Sequence, residues 1–282
     1  MAIYKPSELH QFLESVGVSP KKALSQNFLI DGNILRKIVT TAKVNPGDLV
    51  VEIGPGPGSL TEVLLQAGAR VVAIEKDALL AKALERLKAL GELHIFQEDV
   101  LQFSFETVLK HLLKEGEKAK VIANLPYNVT TPILVKCVTL QEWFSELVVM
   151  VQEEVARRFT AHPGGSDYGS FTVFLDFYTT PKYGFQVSRN CFYPAPKVDS
   201  AIVLLKLHAP PANVDEPKFF ELTRTAFEQR RKMLRSSLKA LYTPQQVMEA
   251  LEAIGKTPQA RPQELSLEEF MQLLNALRNG QA

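Results

Sequence analysis

Four consecutive residues, Asn124-Leu-Pro-Tyr127, carry the groups needed to present a weakly nucleophilic amine for attack. The Asn124 side-chain oxygen and the Leu125 carbonyl can each accept one N–H of an exocyclic amino group such as adenine N6. Pro126 restricts the backbone so that the two acceptors converge. Tyr127 offers a ring on which a base can stack, a contact worth about 1–3 kcal/mol in nucleic-acid complexes. Held by two acceptors, the nitrogen lone pair, otherwise delocalised into the purine, is aimed at an electrophile. Positioning of this kind supplies much of the rate of a bimolecular transfer. No strong base is required, because the nitrogen becomes acidic only once the new bond forms. Taken alone, the same tetrapeptide also suits an ordinary proline-closed turn.

A second cluster, Glu52-Ile-Gly-Pro-Gly-Pro-Gly58, suits close approach of a ligand to the main chain. It is not the dinucleotide pattern GxGxxG, since Ser59 stands where the third glycine is required. Glu75, at the end of the next strand, can accept both hydroxyls of a ribose. Asp99, after the strand beyond that, can accept a hydrogen bond from an adenine amino group. These residues describe a pocket for an adenosine-bearing cofactor with no pyrophosphate requirement, which suits S-adenosylmethionine (SAM) better than NAD. A sulfonium loses its charge on methyl transfer, so a strongly anionic pocket would hold the ground state too well. Glu52 stays ambiguous, because a strand-end glutamate can equally orient backbone groups.

The elements that must position these groups alternate regularly. Strands are expected at 48–53, 70–74, 93–96, 120–123 and 146–151, with helices after each of the first four. Asp77 is placed to cap the second of those helices. Such alternation predicts an α/β fold, a Rossmann-like, mostly parallel, doubly wound sheet whose ligands bind outside the carboxyl ends of the strands. A helix is expected near 7–16, a loop at 24–30, and a late strand at 201–207. Three prolines between His208 and Pro217 mark a linker. Residues 1–207 are therefore expected to form the catalytic domain, and 208–282 a small all-helical C-terminal domain.

That tail carries the clearest basic segment: Lys218 to Lys239 hold seven Lys/Arg against two Glu. At helical spacing Phe227, Leu234 and Leu238 would pack inward, and Arg224, Arg231 and Arg235 would share an outer face. With Lys232 and Lys239, they are the expected RNA contacts, since such a stripe can lie along phosphates and release counterions. Lys21, Lys22, Arg157 and Arg158 are weaker candidates. The chain as a whole has 32 Lys+Arg against 31 Asp+Glu and is 46% hydrophobic, so any nucleic-acid contact must come from local patches. Two cysteines make neither a disulfide framework nor a four-ligand zinc site, and no histidine pairs at ligand spacing, so no metal is expected. No apolar run approaches the ~18 residues of a membrane span, and a cytoplasmic location is expected.

Together, Ser25-Gln-Asn-Phe-Leu29, Glu52-Ile-Gly-Pro-Gly56, Glu75, Asp99, Asn124-Leu-Pro-Tyr-Asn128 and Phe192-Tyr-Pro-Ala-Pro-Lys-Val-Asp-Ser200 resemble the small-subunit ribosomal RNA adenine dimethyltransferase family. The resemblance runs from about residue 19 to residue 240 and implies a SAM-dependent enzyme with a helical C-terminal domain. It implies N6,N6-dimethylation of two adjacent adenosines in the 3′-terminal hairpin loop of 16S rRNA, with a 30S-type precursor as partner; a monomer is expected. By the same resemblance Asn27, Leu29 and Gly56 contact the cofactor, Gly54 approaches its methionine part, Glu75 holds its ribose and Asp99 its adenine. Asn124 lines the junction with the target amine, and Phe192 is a second aromatic wall facing Tyr127, or else an apolar plug before Pro194 and Pro196. The competing readings are a large-subunit methyltransferase of the antibiotic-resistance type, a non-catalytic assembly or transcription factor on the same fold, and a nicotinamide-dependent oxidoreductase.

Overall fold

Five short β-branched runs form the parallel part of a seven-stranded sheet. The computed structural model describes Ile3, residues 5–18 and residues 27–279. Lys21, Lys22 and the Leu24-Ser-Gln26 part of the expected loop lie outside the described residues. In chain order the elements begin with α1 (Pro6–Ser15), β1 (Phe28–Leu29), α2 (Gly32–Thr41), β2 (Leu49–Ile53), α3 (Ser59–Gln66) and β3 (Arg70–Glu75). Then come α4 (Ala78–Ala83), β4 (Leu93–Gln97), α5 (Phe105–Leu112), β5 (Ala119–Asn124), α6 (Thr130–Val138) and β6 (Phe144–Gln152). They are followed by α7 (Glu153–Phe159), α8 (Ser170–Tyr178), β7 (Thr179–Val187), β8 (Phe192–Tyr193) and β9 (Ser200–Leu207). Last are α9 (Glu216–Glu228), α10 (Leu234–Ser237), α11 (Pro244–Ala253) and α12 (Leu267–Asn279).

The sheet order is β4-β3-β2-β5-β6-β9-β7. Neighbours from β4 to β6 run parallel, and β9 is antiparallel to β6. After β2 the chain winds outward through β3 to β4, then returns to β5 and winds the other way, so the strand order reverses between β2 and β5. A doubly wound sheet opens a crevice at such a reversal, at the carboxyl edge. The glycine cluster leaves β2 and Asn124-Leu-Pro-Tyr127 leaves β5, so the topology delivers both to that crevice.

Burial on both sheet faces explains why the strands are continuous apolar runs rather than alternating ones. All of β2 is buried, and Leu35, Ile38, Leu64, Val71, Ile122, Val148 and Ile202 belong to one core. Asp77 caps α4 as expected, accepting from the backbone N–H groups of Leu79 and Leu80. A second, smaller core holds Ile3, Leu9 and Leu13 against Phe28, Ile30 and Leu80, fixing α1.

The chain divides into two compact units. The first contains residues up to Ala156 and Lys182–His208; the second contains Arg157–Pro181 and the chain from Ala209 onward. The expected division at 207/208 therefore left out residues 157–181, which join the C-terminal helices. Their aromatic content is the physical reason. Phe174, Phe177 and Tyr178 of α8 pack their rings against Phe219 and Phe220 of α9, at centroid separations of 5.0–5.9 Å. The strand β7 and the short β8 were not anticipated.

The basic segment also departs from its expected form. The helix ends at Glu228, residues 229–233 turn, and the short α10 follows. Arg224, Arg231 and Arg235 therefore do not share one helical face. No glycine or proline marks the break. The turn is closed by the Lys232 N–H donating to the Gln229 carbonyl at 2.7 Å, and the Leu234 N–H donates to the Ala260 carbonyl at 2.8 Å, a contact distant in sequence.

Candidate functional site

The turn leaving β2 is built from left-handed backbone at Gly54 (φ +65), Gly56 (φ +57) and Gly58 (φ +86). A side chain at Gly58 would stand 2.7–2.8 Å from Leu87 and Leu84, and one at Gly56 would stand 3.0 Å from the Phe28 ring. A Cβ on Gly54 would lie 4.0 Å from Pro126, across the crevice. Gly54 thus keeps the floor bare between the two strand ends, whereas the other glycines admit neighbouring side chains.

These elements enclose a cavity of about 200 Å³. Asn27, Gly54, Gly56, Glu75, Asp99, Asn124, Leu125, Pro126 and Tyr127 line it, so the tertiary fold gathers nine of the expected site residues around one space. Leu29 lines a small neighbouring cavity together with Asn124 and Glu52. Phe192 is placed otherwise. It is 3% exposed, packed in the main core with Leu29 and Leu35, and is not among the side chains lining the main cavity. The reason is the pairing of β8 with β1, Leu29 opposite Phe192, which turns the ring inward. Phe192 therefore packs in the core, and Tyr127 is the ring beside Asn124 on the cavity wall. Phe28, Lys76 and Ile133 also line the cavity and were given no role; Phe28 stood inside the Ser25–Leu29 motif and Lys76 beside Glu75, whereas Ile133 had no local signal.

Glu75 is 5% exposed and both its oxygens accept backbone N–H groups, Oε2 from Gly56 and Oε1 from Asp77, each at 2.9 Å. Burial raises its pKa, and those two donors work against the rise. Each carboxylate oxygen has a further lone pair, so Glu75 can brace the glycine turn and still accept from a ligand. Asp99 accepts from Lys76 Nζ at 2.8 Å and from the Leu101 N–H at 2.9 Å. The Lys76 hydrogen bond is the main reason its carboxyl lies below the usual range. Its loop is tied down by Lys136 on α6, whose ammonium donates to the carbonyls of Val100, Leu101 and Phe103 at 2.7–3.0 Å.

Asn124 donates through Nδ2 to the Asn27 carbonyl at 3.0 Å. That bond fixes the amide plane and identifies Oδ1 as the acceptor side of the group. The Leu125 N–H bonds the Met150 carbonyl at 3.2 Å, anchoring the turn to β6. The Tyr127 hydroxyl meets Ser200 Oγ at 2.7 Å.

Glu52 is 2% exposed and takes a 2.6 Å hydrogen bond from Thr61 Oγ1 in the first turn of α3. Burial pushes its carboxyl up to about 8, with Thr61 opposing and nearby Glu75 adding to the rise. It is therefore mostly protonated at neutral pH and fits the role of orienting the turn better than that of an anionic ligand. A folded-state value raised above the unfolded one means that the folded state binds the extra proton. This contribution to stability is complete below the unfolded carboxylate pKa of 4.5 and is lost as pH rises towards about 8. The Glu52→Gln protein, which keeps an acceptor for Thr61, is expected to show a shallower fall in melting temperature between pH 5 and pH 8. An unchanged pH slope in thermal unfolding would show that Glu52 is ionised in the fold.

In the second unit, Lys232, Arg235 and Lys239 line an open groove with Ser236, Pro244 and Met248. None of these lining residues is acidic. Arg224 and Arg231 are exposed but lie outside it. Among the described residues no His/Cys/Asp/Glu group is arranged to hold a metal ion, and no helix is long and apolar enough to cross a membrane.

The family model described as ribosomal RNA adenine dimethylase matches residues 17–279. The chain is 63% identical over 278 residues to the ribosomal RNA small subunit methyltransferase A of Protochlamydia amoebophila, covering 98% of each. It is 47% identical to the protein of that name from Chlamydia trachomatis, covering 99% of this chain and all of the relative. Among solved structures it is similar to a dimethyladenosine transferase from Plasmodium falciparum, with a TM-score of 0.70 and 26% identity over 88% of this chain and 96% of that one. It is similar also to the 23S rRNA methyltransferase ErmE, with a TM-score of 0.68 and 27% identity over 89% and 100%.

Proposed function

The chain belongs to the ribosomal RNA adenine dimethylase family, and on that premise we propose which residues hold the methyl donor, which present the acceptor, and which RNA is selected. The activity is SAM-dependent dimethylation of adenine in 16S rRNA. The large-subunit alternative is not favoured, since full-length relatives at 63% and 47% identity carry the small-subunit name.

The cavity suits the donor chemically. It offers a buried carboxylate for a ribose diol, a second carboxylate at its rim for an adenine amino group, and a glycine floor at its centre. In our reading Glu75 holds the ribose, Asp99 the adenine, and the main chain at Gly54, Gly56 and Asn27 the methionine part. SAM supplies an electrophilic methyl group on a positively charged sulfur. Asn124 Oδ1 and the Leu125 carbonyl accept the two N–H groups of the target adenine, Pro126 holds them convergent, and the Tyr127 ring stacks the base. A base in a stem or stacked loop must first be turned out, at a cost of a few kcal/mol. Carrying this reading is the Asn124 amide: its nitrogen side is committed to Asn27, and it shares one cavity with Glu75 and Asp99.

We assign as target two adjacent adenosines in the 3′-terminal hairpin loop, presented by a small-subunit precursor to a single copy of the chain in the cytoplasm. Incubation with labelled SAM and unmethylated small subunits, followed by mapping of the label, tests this. Label on two neighbouring adenosines near the 3′ end is the expected result, and label elsewhere would refute it.

RNA contact is assigned to the groove of Lys232, Arg235 and Lys239, with Arg224 and Arg231 flanking. Changing the three groove residues to Gln is expected to weaken RNA binding. The slope of log affinity against log salt should become shallower by about 0.7–0.9 for each phosphate that is no longer neutralised. The same change at Arg224 and Arg231 should alter the slope less. An unaltered slope for the triple variant would remove the groove from the interface.

A further inference from the structure

We propose that Ser200 is a positioning residue for the transfer, holding the Tyr127 ring in the plane on which the target base stacks. The inference rests on the reading that Tyr127 stacks that base. Tyr127 opens a single 3-10 turn, Tyr127–Val129, at the cavity edge. A half-buried tyrosine there has two rotatable bonds, and stacking is useful only if the ring plane is already set before the base arrives. Nothing in the tetrapeptide sets it. What does so is a contact 73 residues away in sequence, the 2.7 Å hydrogen bond between the Tyr127 hydroxyl and Ser200 Oγ.

Ser200 is itself held rigidly. It is fully buried (0% exposed), begins β9, and pairs with Gln152 at the end of β6. The preceding residue, Asp199, is pinned by three contacts. Its carbonyl accepts from the Glu153 N–H at 3.0 Å, and its carboxylate accepts from the Arg189 N–H and from Gln186 Nε2, each at 2.9 Å. The serine hydroxyl therefore stands at a fixed point on the sheet, and the tyrosine ring is suspended between that point and its own backbone. Burial raises the Tyr127 pKa, and the Ser200 hydrogen bond opposes the rise. A buried serine hydroxyl requires a partner, and here the partner is the group whose orientation the reaction uses.

The test uses the full chain with unmethylated small subunits. Ser200→Ala and Tyr127→Phe each delete one end of the bond, and each is expected to lower kcat/KM for the subunit about tenfold. S-adenosylhomocysteine affinity, measured by calorimetry, should stay within about twofold in both, as expected for a contact outside the cofactor subsite. The double variant should lose no more than either single variant, because the two changes remove one interaction. Wild-type turnover in both single variants, or losses that multiply in the double, would overturn the proposal. So would a fall in cofactor affinity matching the fall in turnover, which marks a general structural defect. If Ser200→Ala fails to fold, Tyr127→Phe carries the test alone. Tyr127→Ala separates the two levels of inference. Severe loss there with normal Ser200→Ala activity sinks only the positioning role, whereas normal Tyr127→Ala activity sinks the stacking reading as well.

Discussion

Asn124→Ala is expected to reduce methyl transfer by at least about 10²–10³-fold in kcat, the usual scale for removing one preorganised polar contact in an active site. Cofactor binding should remain within a few-fold of normal. The alanine deletes the Oδ1 acceptor assigned to one N–H of the target amine, and deletes the Nδ2 donor to the Asn27 carbonyl. With one acceptor left, the amine can rotate and its lone pair is no longer aimed, so the loss falls on the chemical step rather than on ground-state binding. Asn124→Asp sharpens the test. It keeps an acceptor at the Oδ1 position but turns an oxygen towards the Asn27 carbonyl, so the tether becomes a repulsion. If the tether matters, Asn124→Asp should be severely impaired even though its acceptor count is unchanged. Single-turnover methylation of unmethylated subunits would measure both, and a near-native rate for Asn124→Ala would remove the residue from the mechanism.

Glu75→Ala should act on the cofactor instead. The substitution removes the carboxylate assigned to the ribose, and it leaves the N–H groups of Gly56 and Asp77 without their acceptor. A buried donor stripped of its partner costs about 1–3 kcal/mol. A loss of two to three orders of magnitude in S-adenosylhomocysteine affinity is expected, with a lower melting temperature in the ligand-free protein. Glu75→Gln should fall between, because its amide can accept from only one of the two N–H groups and presents a donor to the other. Calorimetry at constant pH reads the affinity, and an unchanged value in Glu75→Ala would contradict the ribose assignment.

The two predictions separate because the two residues sit on different strand ends. Glu75 ends β3 and braces the glycine turn, whereas Asn124 ends β5 and is braced by the segment before β1. Proximity at the reversal of strand order makes one cavity of them, and different anchors allow one function to fail without the other.

Local patterns in the chain were enough to specify the parallel α/β order, the acids at the ends of β3 and β4, the glycine turn and the placing of Asn124-Leu-Pro-Tyr127 at the end of β5. Their signals are apolar runs of strand length, a capping Asp77, glycines at a strand end and a proline between two acceptors. Long-range packing settled the rest: residues 157–181 join the second unit, α9 breaks before Arg230, and Phe192 turns into the core. Packing also tethers Asn124 to Asn27 and Tyr127 to Ser200. Each of these outcomes depends on a partner far away along the chain. Periodicity and spacing report what a segment can bury or cap within a turn or two. They carry no information about which distant atom arrives to complete a hydrogen bond, because those distances are set by the folded sheet.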